Sequence, residues 1–177
     1  MAKDYVEKKV YGNWNPAARW YFRKILESAV SISGVSKKDT VLDFGCNTQE
    51  LKKHLKGRFG KYLGYDIIKE LSDIGDYTKT RPDIVFALNV FEHIEEKELR
   101  KILDNFKKMK VKRLVTAQPV EHPIGRFLAF ISGLYFEHRH VHKLRWFEVH
   151  KIVSDYFTGE KQETLLTMQK ISLWKAK

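Results

Sequence analysis

Only one cysteine, Cys46, occurs among the 177 residues. That excludes an internal disulfide and any cysteine-based zinc site, and it points to a reducing compartment. Long apolar runs are missing as well. The longest nearly uncharged one, residues 124–136, covers 13 positions and is broken by Arg126, whereas a bilayer-spanning helix takes about 20. No membrane span is expected, and the polar start Met-Ala-Lys-Asp-Tyr does not predict a secretory signal. No repeat, low-complexity tract or linker divides the chain. The expectation is one cytoplasmic domain over residues 1–177. Acidic residues are the scarce charge, 22 against 33 basic, for a net +11. The excess is spread evenly, +6 over residues 1–110 and +5 over 111–177, so there is no basic tail. It suits a polyanionic partner, an anionic membrane surface, or simply a solvated lysine surface.

What is present is a 43 % apolar chain with regular punctuation, large enough to bury a substantial core. Asn15 and Pro16 open a first helix, whose apolar positions from Ala18 to Val30 keep helical spacing and stop before Gly34. Thr40-Val-Leu-Asp-Phe-Gly45 reads as a buried strand that ends at a glycine. A short helix is predicted over 49–56, a second strand over 62–66 and a third over 83–90. Leu99, Ile102, Leu103, Phe106 and Met109 mark an amphipathic helix over 95–110. A strand over 113–117 follows, then a helix around Phe147, Val149, Ile152, Val153 and Tyr156. The end alternates like two antiparallel strands, 163–168 and 171–175, joined by a tight turn. The segment between Asp66 and Asp83 is too short for both a helix and a strand.

Strands alternating with helices predict a Rossmann-like, doubly wound α/β sheet. It should be mostly parallel, with an antiparallel C-terminal hairpin and helices on both faces. Ligands of such sheets bind outside the carboxyl ends of the strands. Four of those ends carry polar signals. They are the turn Asp43-Phe-Gly45-Cys46-Asn47, the carboxylate Asp66, the pair Gly75-Asp76, and Leu88-Asn-Val-Phe-Glu-His-Ile94. A carboxylate in the place of Asp66 can accept both hydroxyls of a ribose.

In these motifs the chain resembles the class I S-adenosylmethionine-dependent methyltransferases, in particular the small branch called type 11. Val41-Leu-Asp-Phe-Gly-Cys46 stands in register with the family's first motif, and Gly64-Tyr-Asp66-Ile67 looks like its second. Gly75-Asp76 is similar to the third, and Phe86-Ala-Leu-Asn-Val-Phe-Glu-His-Ile94 to the fourth. The resemblance implies S-adenosyl-L-methionine as cofactor and methyl transfer as the reaction. It implies that Asp66 holds the ribose, Asp76 the adenine, and Gly45, Cys46 and Asn47 the methionine part. Asn89 and Val90 would line the sulfonium region, and Asp43 and Ile67 complete the implied cofactor contacts. Two positions depart from the pattern: Asn47 and Gln49 replace the family's second and third glycines. Asparagine tolerates a left-handed backbone, whereas Gln49 adds a side chain where the cofactor would pass.

The acceptor side is less defined. Tyr11, Trp14, His93, His122 and His142 are the candidate substrate-facing residues, with residues 1–34 as a helical cap and 121–146 as an insertion or lid. No catalytic base is singled out among the histidines. His138, His140 and His142 share one side of an extended segment. Without nearby cysteines the expectation is a solvated or substrate-facing loop and no metal site. The greasy stretch 124–136 reads as a helix capping the site, as a lid around a hydrophobic acceptor, or as an interfacial helix in peripheral contact with a membrane. The motif Asn89-Val-Phe-Glu92 differs from the Asn-Pro-Pro-Tyr type that resembles nucleic-acid amine methylation. A small-molecule or lipid-like acceptor therefore ranks first, and an RNA or protein acceptor second. The rival from another class is a non-catalytic binding module of the same fold, favoured by Asn47 and Gln49. A dinucleotide oxidoreductase lacks its Gly-x-Gly-x-x-Gly turn.

Overall fold

The computed structural model describes residues 16–120 and 142–177. Helix α1 (Pro16–Ser33) opens on its proline and buries Ile25, Leu26, Ala29, Val30 and Ile32. Strand β1 (Thr40–Phe44) leads into helix α2 (Glu50–Leu55), and β2 (Lys61–Tyr65) follows. Two short 3-10 turns, Lys69–Leu71 and Tyr77–Lys79, fill the stretch before β3 (Ile84–Leu88). The short Asp66–Asp83 segment thus supplies neither a full helix nor a strand. A third 3-10 turn, Phe91–His93, precedes helix α3 (Glu96–Lys108), strand β4 (Arg113–Pro119) and helix α4 (Trp146–Tyr156). Strands β5 (Phe157–Leu165) and β6 (Gln169–Ala176) close the order.

The six strands form one sheet in the order β2-β1-β3-β4-β6-β5. The first four run parallel, β6 pairs antiparallel with β4, and β5 pairs antiparallel with β6. This is the expected Rossmann-like, mostly parallel sheet with an antiparallel hairpin. Both hairpin strands are longer than their sequence predicts: β5 begins at Phe157 rather than 163, and β6 at Gln169 rather than 171.

Strand alternation sorts the core into two layers. Val41, Ile84, Phe86, Val115, Ala117, Ile171 and Leu173 face α1 and α2. Leu42, Phe44, Val85, Ala87, Leu114 and Trp174 face α3 and α4. Both faces of the central strands are covered, as a parallel sheet requires. The two layers hold the strand ends rigidly, and the turns beyond them carry the polar residues.

Candidate functional site

The turn after β1 is shaped by alternate left-handed residues: Gly45 (φ 79°), Asn47 (φ 43°) and Gln49 (φ 58°). At Gly45 a Cβ would lie 2.5 Å from Val90 Cγ2, so only glycine lets the β1 and β3 turns approach this closely. The backbone N–H groups of Gly45 and Cys46 both donate to the Tyr65 carbonyl, at 2.7 and 3.0 Å. The Asn47 N–H donates to Asp66 Oδ2 at 3.0 Å, and Ile68 N–H to the other Asp66 oxygen at 3.0 Å. The first and second motifs therefore meet through Asp66. Ile67, next to it, is 88 % exposed.

Beneath the turn Asp43 is buried and accepts a 2.5 Å hydrogen bond from the Tyr62 hydroxyl. Burial, with smaller contributions from the Asp66 and Asp73 carboxylates, pushes the Asp43 carboxyl up to about 7 against the opposing Tyr62 bond. Cys46 is also buried, its Sγ 3.4 Å from the Leu71 carbonyl, and burial pushes the thiol up to about 12. A thiol so poorly ionised is a weak nucleophile.

Gln49 turns its side chain toward the 3-10 segment. Its Nε2 donates to Asp73 Oδ1 at 2.8 Å and to the Leu71 carbonyl at 3.4 Å. Asp73 in turn accepts from Gly64 N–H at 3.0 Å. A Cβ on Gly64 would stand 3.1 Å from Asp73, Cys46 and Gln49 alike, so this glycine makes room for their convergence. Asp76 is exposed and bonds locally, accepting from the Thr78 N–H and hydroxyl at 2.9 and 2.6 Å. Those bonds hold its carboxyl below the usual range.

At the end of β3, Asn89 adopts a left-handed backbone (φ 55°) and accepts a hydrogen bond from Gln169 Nε2. Gln169 Oε1 accepts from the Tyr21 hydroxyl at 3.3 Å. Helix α1, the start of β6 and the β3 turn are thereby joined. Beyond Asn89, Glu92 is buried, and burial pushes its carboxyl up to about 8. The His93 and His142 rings stand edge to face with centroids 4.9 Å apart.

The structure thus brings Asp43, Gly45, Cys46, Asn47, Asp66, Asn89 and Val90 to one end of the sheet, with Ile67 beside them. Asp76 sits on the neighbouring 3-10 turn, and His93 pairs with His142. Tyr11, Trp14, His122, His138, His140 and stretch 124–136 lie outside the described residues. Sequence reasoning missed Tyr62, Asp73 and Gln169. The partner of a strand-end residue depends on strand register, which no local motif encodes.

Solved structures share this architecture. The PH0226 protein from Pyrococcus horikoshii matches at 16 % identity and TM-score 0.71, over 98 % of this chain and 99 % of that one. The magnesium protoporphyrin IX methyltransferase of Synechocystis, solved with bound S-adenosylhomocysteine, matches at 16 % identity and TM-score 0.61, over 99 % and 98 %. N-methyltransferase NodS of Bradyrhizobium japonicum, also in complex with S-adenosylhomocysteine, matches at 16 % identity and TM-score 0.63, over 99 % and 98 %. This chain has the class I methyltransferase fold. No protein-family model matches the sequence, and no curated protein matches it. In the methyltransferase fold the described turns occupy the carboxyl edge of the sheet, where open α/β sheets bind ligands. Among the described residues, no helix is long and apolar enough to cross a membrane.

Proposed function

We propose that this protein is an S-adenosylmethionine-dependent methyltransferase whose acceptor is a small or lipid-like molecule. The observation that carries the reading is the junction of the first two motifs. Gly45 lets this turn press against Val90, where a Cβ would stand 2.5 Å from Cγ2, and Asp66 sits at hydrogen-bond distance from the same turn. Two atoms in that turn add support: Asn47 Oδ1 and Thr48 Oγ1 are buried with no hydrogen-bond partner among the described residues. Buried polar atoms without partners are uncommon in a folded chain, and here they are suited to the polar methionine end of the cofactor. The neighbours solved with S-adenosylhomocysteine support the same cofactor.

The Asp66 carboxylate would accept from the ribose hydroxyls while its two backbone donors keep it oriented. The turn of Gly45, Cys46 and Asn47 would hold the methionine part, and Asn89, fixed by Gln169, would line the reacting end with Val90. Ile67 would cover the adenine with apolar surface, and Asp76 would reach its amine. When bound, the cofactor supplies an electrophilic methyl carbon on a sulfonium, so the chain's task is alignment and removal of a proton where the acceptor carries one. His93 and His142 would face the acceptor. The Asn89-Val-Phe-Glu92 motif supports a small-molecule acceptor over a nucleic-acid amine, and the lone reduced Cys46 supports a cytoplasmic setting.

Calorimetric titration with S-adenosylmethionine and S-adenosylhomocysteine tests the reading. The expected result is micromolar binding that Asp66→Ala weakens by at least about tenfold, or 1.4 kcal/mol. No binding by the wild type at millimolar ligand would overturn it and leave a non-catalytic module of the same fold.

A further inference from the structure

Glu92 poses a problem that the methyl-transfer reading does not use. Its side chain is 1 % exposed, and neither carboxylate oxygen has a hydrogen-bond partner among the described residues. A buried, unpartnered carboxylate costs several kcal/mol, and proteins relieve that cost with a partner, a proton or a metal ion. The local fold leaves Glu92 little choice of position. Phe91 before it is fully buried in the core, and the 3-10 turn Phe91–His93 is closed by the His93 N–H donating to the Val90 carbonyl at 3.1 Å.

A second segment is fastened to this turn. The Glu92 backbone carbonyl accepts from the N–H groups of Lys143 and Leu144, at 2.7 and 3.2 Å. Leu144 packs against the main core, and the Lys143 ammonium pairs with Glu95 at 2.5 Å. The residue just before this clamp is His142. One ligand atom each from Glu92, His93 and His142 lies within 4.8 Å of the others.

We infer that Glu92, His93 and His142 form a binding site for a divalent first-row transition ion. Two imidazoles and one carboxylate are the donor set that Zn²⁺, Fe²⁺ and Co²⁺ accept, whereas Mg²⁺ and Ca²⁺ prefer oxygen alone. Ligands about 2.1 Å from a tetrahedral ion stand roughly 3.4 Å apart. Binding would draw the three donors, now within 4.8 Å of one another, closer together around the ion. Three protein ligands leave at least one coordination position for water or a substrate oxygen. The site lies just beyond Asn89 and Val90 in the chain, yet its existence is independent of cofactor binding there.

The test reads the metal directly. Protein stripped with chelator and exchanged into chelator-free buffer is titrated with Co²⁺, followed by d–d absorption, and with Zn²⁺, followed by calorimetry. One equivalent of Co²⁺ should bind with micromolar affinity, while Mg²⁺ gives no heat at the same concentration. His142→Ala should weaken Co²⁺ binding by at least about tenfold with far-UV circular dichroism and urea midpoint unchanged. Glu92→Gln should weaken Co²⁺ binding likewise, and His54→Ala should leave binding intact. No Co²⁺ or Zn²⁺ binding by the wild type at millimolar metal would overturn the proposal. So would a His142→Ala protein that binds as tightly as the wild type. Neither outcome depends on S-adenosylmethionine, so this proposal and the methyltransferase reading fail separately.

Discussion

Asp43 shows what burial does to a carboxyl group at a strand end. The unfolded chain releases this proton near 3.8, while the folded chain keeps it until about 7. Between those values the native state binds the extra proton, so stability from this group falls as pH rises, by roughly 1.4 kcal/mol per unit at most. Above about 7 the loss is complete and the dependence flattens. Asp43→Asn retains an acceptor for the Tyr62 hydroxyl and removes the titration. Urea unfolding of both proteins from pH 4 to 8 should show the wild type losing stability relative to the variant up to about 7. Parallel curves would mean that Asp43 ionises normally in the fold. Asp43, Gly45 and Asp66 were legible in the sequence because a strand that runs into a glycine, followed by an acid at the next strand end, is a local pattern. Tyr62, Asp73 and Gln169 were not legible, since Tyr62 and Gln169 reach partners on other strands and Asp73 meets Gln49 only through the folding back of the loop after β2. Glu92 was visible as a letter, but the clamp on its carbonyl that brings His142 beside His93 was not.

At the scale of elements, the C-terminus of α1 depends on a residue of β4. Arg113 donates to the carbonyls of Ser33 and Gly34 at 2.8 and 2.7 Å, and to Asp39 Oδ1 at 2.6 Å. The last carbonyls of a helix have no intrahelical donors, and a guanidinium supplies several in a fixed fork. Arg113→Ala should therefore lower unfolding stability by about 2–3 kcal/mol, since it leaves part-buried acceptors unpaired. Hydrogen exchange should rise first in the last turn of α1, because its stability there is tied to the sheet. A loss below about 0.5 kcal/mol would show that water replaces the arginine without penalty. The helices and parallel strands were readable because their apolar periodicity persists over whole elements. The hairpin was shorter in the sequence than in the structure for a physical reason. After Phe157, the next seven residues of β5 are all exposed, so this edge strand has no buried face to alternate. Its ladder with β6 forms without a hydrophobic signature, and its charged residues also discourage pairing with another chain.

The whole molecule carries a net charge of +11 at pH 7, spread over a surface rather than gathered in a tail. Self-repulsion of that size opposes the compact state. The opposing attractions are weak: Lys24–Glu27, Lys53–Glu50 and Lys101–Glu98 are one-turn pairs that include exposed ammonium groups, which solvent and salt screen. Raising ionic strength from about 0.01 to 0.15 M shortens the screening length from roughly 30 to 8 Å. That range leaves contact pairs at 2.5–3.2 Å partly intact while it removes repulsion between distant lysines. The melting temperature should therefore rise with sodium chloride, by about 2–4 °C for a gain of roughly 1 kcal/mol in a chain of this length. Differential scanning calorimetry at fixed pH measures it. A falling melting temperature would mean that the ion pairs, including the less exposed Arg113–Asp39 tie, outweigh the net repulsion. The positive surface would then be balanced locally, and its attraction for polyanions would be confined to the few faces where no acid stands beside the lysines.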